Sequence, residues 1–258
     1  MRSLKFRIGG AAAVAMMAAA VVAADPTLSA DLGGKAIEAD LAHLGKLVDL
    51  AKTKKVGGRV KSAAVLLALY SQDQMAGKDG AKMAGLRDAA LKFAVKAKSS
   101  AAITKDAAAF AADAAALATA APAAGAKPVE VKKIIEDSKL ELHELMDLFS
   151  SAAGGGMNLE KDIQAIKKNG VKDVAAAELI GARTALIADL TLHLPNDKAA
   201  GAAGKKQWED YSKEMKKFAL DLAAEAGKGA KGDLAKMKTA AGKLDASCTN
   251  CHNKFRAD

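Results

Sequence analysis

From Leu234 onward the chain repeats a small or apolar residue at alternating offsets of three and four: Leu234, Met237, Ala241, Leu244, Cys248, Cys251 and Phe255. That spacing draws one narrow stripe along a helix, the seam by which bundle helices pack. Two members of the stripe are the chain's only cysteines, and His252 follows directly. Cys-x-x-Cys-His is the attachment signature of a c-type haem. Cys248 and Cys251 share a helix face and can each bond a haem vinyl group, while His252 stands beneath the iron as proximal ligand. One covalently attached haem c is therefore expected, plugged into one end of a helix bundle.

Two other chemistries use paired cysteines. A thioredoxin-like dithiol needs a βαβ context, and a structural zinc site usually takes four protein ligands. The chain has two cysteines in all and no second cluster. Aromatic residues make up only 3% of it while Ala, Leu, Lys, Glu and Asp abound, so strand-forming material is scarce and an all-α fold is expected. At the N-terminus Arg2, Lys5 and Arg7 precede an apolar run from Ile8 to Val22, and Val22-Ala23-Ala24 offers small residues to a signal peptidase. Residues 1–24 read as a signal peptide cut before Asp25, the run being shorter than the roughly 20 residues of a spanning helix. Export fits the motif, because covalent haem attachment in bacteria takes place outside the cytoplasm; the expected location is the periplasm, with no stable membrane span after cleavage. Without the three leader cations the formal charge falls from +9 to about +6, a mildly basic surface suited to an acidic redox partner rather than to nucleic acid.

The remaining chain divides in two. Helices are expected from Lys35 to Lys54, Arg59 to Ser71, Met83 to Ala97, and from Asp106 through Phe110 to Leu117. Residues 122–128, with Pro122 and Pro128, form a Pro/Ala linker. Beyond it, helices are expected over Val129–Ser151, Leu159–Lys168 and Val171–Leu194, then along Trp208, Tyr211, Met215, Phe218 and Leu222, again at alternating offsets. Asp233 caps the last helix. Lys92-Phe93-Ala94 matches Lys217-Phe218-Ala219, and Arg59 falls opposite Arg183, so the plan is two tandem four-helix-bundle-like domains, 25–121 and 129–258. The first has no cysteine and cannot hold a covalent haem.

The stretch Gly232–Arg256, with Phe255-Arg256 two residues after the attachment motif, resembles the C-terminal helix of cytochrome c′, the class II c-type cytochromes. Gln207-Trp208-Glu209-Asp210 is similar to the start of that family's third helix. The resemblance runs from Val129 on and implies a four-helix bundle, one haem, His252 as proximal ligand, Phe255, Arg256 and Trp208 close to the haem, and either electron transfer or binding of nitric oxide or carbon monoxide. Homodimers are also implied, since family members often pair through their first helices. The distal side would be lined by the first bundle helix, Val129–Ser151, where Met146 or His143 is the candidate sixth ligand and an apolar residue would leave that position vacant. Arg183 is a candidate partner for a haem propionate, against the plainer reading of an arginine along the bundle surface. His43 is expected to face solvent and His193 to end a helix. A haem-free docking module is a third role for the first domain, and no acid/base or nucleophile constellation suggests an enzyme.

Overall fold

The computed structural model describes residues 28–256, so the expected leader and its cleavage site lie outside the described residues. Those described form eleven α-helices with no strand among them. In the first half these are α1 (Ala30–Leu50), α2 (Gly57–Asp73), α3 (Gly80–Lys96), α4 (Ser100–Lys105) and α5 (Ala107–Ala116). In the second they are α6 (Val131–Ser138), α7 (Leu142–Met146), α8 (Leu159–Asn169), α9 (Val174–Leu192), α10 (Gly201–Ala226) and α11 (Leu234–Phe255). The all-α expectation holds. Several starts are written in short polar side chains that accept first-turn N–H groups: Ser29 from Leu32, Asp173 from Ala176, and Asp233 from both Ala235 and Lys236.

In the first half α1, α2 and α3 pack in order and α5 folds back onto α1; in the second, α9 packs on α10, α10 on α11, and α8 on both α11 and α9. Gly181 lets α9 and α10 approach closely, since a Cβ there would lie 2.6 Å from the Ala219 carbonyl oxygen. The halves are not insulated from each other. One continuous apolar core includes residues from Leu28 to Leu244, and α1 and α2 pack against α9. From Val60 to Ser71 every residue of α2 is buried, as expected of a helix covered on all sides. Each fully buried leucine, such as Leu44, Leu66 or Leu67, contributes about 1.5–3 kcal/mol.

Three expectations fail. The helix anticipated over Val129–Ser151 is broken: α6 ends at Ser138 and Lys139 turns left-handed (φ 50°, ψ 44°). Lys139 N–H donates to Glu136 O and Leu140 N–H to Ile135 O, a Schellman closure. A capping box between Glu141 and Glu144 then starts α7. Second, Arg183 does not lie along the bundle surface but is largely buried between α9 and α1. Its guanidinium donates through Nε at 2.8 Å, and also through Nη2, to the carboxylate of Asp40, which is wholly buried on α1. Third, His43 is half-buried beside that pair rather than facing solvent, because α9 covers this side of α1.

Burial and the neighbouring Arg183 and Lys46 push His43 down from 6.5 to about 4, while burial pushes Asp40 up from 3.8 to about 6 despite Arg183. The signs oppose each other. His43 binds its proton less readily folded than unfolded, so its contribution is present above pH 6.5 and lost as pH falls towards 4. Asp40 binds its proton more readily folded, so its contribution is full below pH 3.8 and lost as pH rises through 6. Each is worth about 3 kcal/mol, and they offset. His43→Leu removes one arm: between pH 7 and 4 the variant is expected to gain about 3 kcal/mol relative to wild type, measured by urea unfolding at several pH values. A difference that stays constant across pH would refute the assignment.

Candidate functional site

The stripe that opened the sequence lies where its spacing predicts. Met237, Ala241, Leu244 and Phe255 are buried on α11, Leu234 is exposed at its first turn, and the thiols of Cys248 and Cys251 are half-buried and unpaired. Both cysteines and His252 face a cavity of about 490 Å³ at one end of the second bundle. Its floor is aromatic. Trp208 and Phe255 meet edge to face at 5.4 Å between centroids and Tyr211 meets Phe255 at 6.2 Å, a cluster apart from the main core. Trp208 is fixed there by its indole N–H, which donates to Thr191 O at 2.6 Å. Arg256 stands exposed just past α11, at the mouth.

The electrostatics sort the chemistries. Burial raises the thiol of Cys248 to about 12 and that of Cys251 to about 11. A dithiol redox centre depends on a thiolate held at or below neutral pH, and these thiols lack it. Burial, followed by Arg256, lowers His252 from 6.5, with Glu160 opposing. That direction favours the neutral imidazole, the form that can ligate a metal. Two thiols one helical turn apart on a cavity wall, an imidazole next to them and an aromatic floor fit a covalently held haem. Cys248 and Cys251 would anchor it and His252 would ligate its iron.

The opposite wall departs from expectation. Leu142, His143, Met146 and Phe149 do line the cavity, so both candidate distal residues face the site, with His143 largely exposed and 3.2 Å from Glu141. They sit on the short α7 and the turn after it, however, not on a bundle helix. The helix that packs against α11 in that place is α8, which contributes Glu160, Ile163 and Gln164. The sequence reading missed Ile163, although its apolar spacing with Leu159 and Ile166 was visible. His193 ends α9, as expected, and is exposed; Arg183 takes no part in the cavity.

The last helix of this four-helix arrangement carries Cys-x-x-Cys-His into a terminal cavity, the disposition that a bundle holding a c-type haem at one end would need. Residues 161–256 match the family model of cytochrome c′. The match begins inside α8 and ends just after α11, so it covers the second bundle and excludes the first half and residues 129–160. No curated protein and no solved structure matches the chain.

Proposed function

We propose that the protein is an exported, periplasmic monohaem c-type cytochrome that transfers electrons and is not itself an enzyme. One observation carries this reading: Cys248, Cys251 and His252 open onto a single cavity whose facing wall includes Met146 and His143. The haem, when bound, supplies one-electron chemistry. The chain's own residues fix and shelter it: the two thiols anchor it, His252 ligates from α11, and Trp208, Tyr211 and Phe255 close the cavity's interior end. Arg256 adds positive charge at the mouth of an already basic protein, which favours approach of an acidic redox partner. No helix among the described residues is long and apolar enough to cross a membrane.

Ile163 supports a second reading. It is 2% exposed and apolar, and it lines the cavity from the helix in the first-bundle position. An apolar wall of this kind offers no side-chain ligand from Ile163 and would leave room beside a bound haem for a small gas such as carbon monoxide or nitric oxide. Spectra of the purified ferrous protein with and without carbon monoxide separate the two. A six-coordinate low-spin spectrum that carbon monoxide leaves unchanged is expected for the electron carrier; a shifted Soret band would assign the site to gas binding. Absence of haem staining on a denaturing gel would refute both.

A further inference from the structure

The wall that faces the cysteines is held by the first half of the chain. Lys61 on α2 is 5% exposed, and its Nζ donates to both carboxylate oxygens of Glu144, at 2.8 and 2.9 Å. The same ammonium donates at 3.1 Å to the carbonyl of Lys139, the left-handed residue at the break before α7. Glu144 in turn accepts the Glu141 N–H at 3.0 Å, so one buried cation fixes both the break and the start of α7. Gly58 permits the approach, since a Cβ there would lie 2.9 Å from Glu144 Cγ. Two residues before Lys61, Arg59 pairs with Asp147 at 3.3 Å and donates to Gly154 O. The α7 helix packs on α2, while its other side presents His143 and Met146 to the cavity.

We propose that the haem-free half acts as the mount for the cavity's far wall, with Lys61 and Arg59 as positioning residues that set which side chain faces the iron and how readily a small ligand enters. The inference rests on the haem reading above. It gives the first half a task inside the chain, one that needs no external partner, and it follows from where the ion pairs run: both cross from α2 to the 139–154 segment. A buried pair of this kind fixes geometry because neither partner has a cheap alternative.

The test uses the full haem-loaded chain. Lys61→Met is expected to increase amide exchange across residues 139–154 and to change carbon monoxide association with the ferrous protein at least about fivefold. A wild type that excludes carbon monoxide should instead gain binding in the variant. Because Lys61→Met leaves Glu144 buried without its cation, the double variant Lys61→Met/Glu144→Leu supplies a second arm with no orphaned charge, and the same two changes are expected. Lys213→Met, which breaks an exposed pair with Glu209, should alter neither. Folded variants that bind carbon monoxide as wild type does, with or without faster exchange, would overturn this inference and leave the haem reading intact. A wild type without covalent haem would overturn both.

Discussion

Cys248→Ala/Cys251→Ala is expected to abolish covalent haem attachment completely while the helices remain. The two thiols are the only cysteines in the chain, so no other side chain can form the thioether bonds. Helix content should survive because neither thiol carries the packing of α11: Met237, Ala241 and Leu244, all essentially inaccessible, tie it to the main core. Truncating two half-buried cysteines removes little apolar area by comparison. Haem staining after denaturing electrophoresis, read beside far-ultraviolet circular dichroism, checks both halves of the statement. Either single substitution should leave one thioether, and His252→Ala should retain covalent haem while changing its spectrum through loss of the proximal ligand. Stained, haem-loaded protein from the double variant would remove the site assignment.

Arg183→Met should cost about 3–5 kcal/mol at pH 7. Asp40 is wholly inside the protein, and its second oxygen has no hydrogen-bond partner among the described residues, so Arg183 supplies the compensation its charge has. Burial already raises this carboxyl to about 6; without the guanidinium it rises further. The native state then binds the proton more tightly than the unfolded chain does, so the loss shrinks as pH is lowered and grows as it is raised. Urea unfolding at pH 5 and pH 8 should show this slope, and Asp40→Asn/Arg183→Met should recover much of the deficit by removing the orphaned charge. A loss that does not vary with pH would mean that Asp40 is not the group responsible. The effect bears on assembly as well as stability, because this pair joins α1 of one half to α9 of the other.

The sequence was most informative where one helix satisfied its pattern by itself. The stripe on α11 and its Asp233 cap are local, as is the seam of α10, and each was legible before any tertiary fact. The break at Lys139 was not. Val129 to Ser151 contains neither glycine nor proline, and Ile135, Leu142, Leu145, Met146 and Phe149 keep helical spacing through it. The decisive contact comes from Lys61, 78 residues earlier, and no local propensity reports that. A faint sign was present in the Glu141-x-x-Glu144 spacing of a capping box. The roles of His43 and Arg183 were hidden for the same reason. Each sits on a helix edge whose exposure depends on whether the two halves touch, and a half-by-half reading left those edges wet.

The short α8 has a consequence of its own. At about 1.5 Å per residue its eleven residues span about 16 Å, against about 33 Å for the twenty-two of α11 beside it. α8 runs antiparallel beside the cysteine end of α11, with Lys167 paired to Asp245 and Glu160 near Cys248 and His252, so the part of α11 that reaches past it is the opposite end, where Leu234 stands exposed. The cavity at the cysteine end is then walled by α8 together with the segment from Leu142 to Phe149, which is anchored from α2. One wall of that cavity therefore depends on a helix from the other half of the chain, and a fragment cut at the 122–128 linker would keep Leu142 to Phe149 but lose the Lys61 ammonium that pins them.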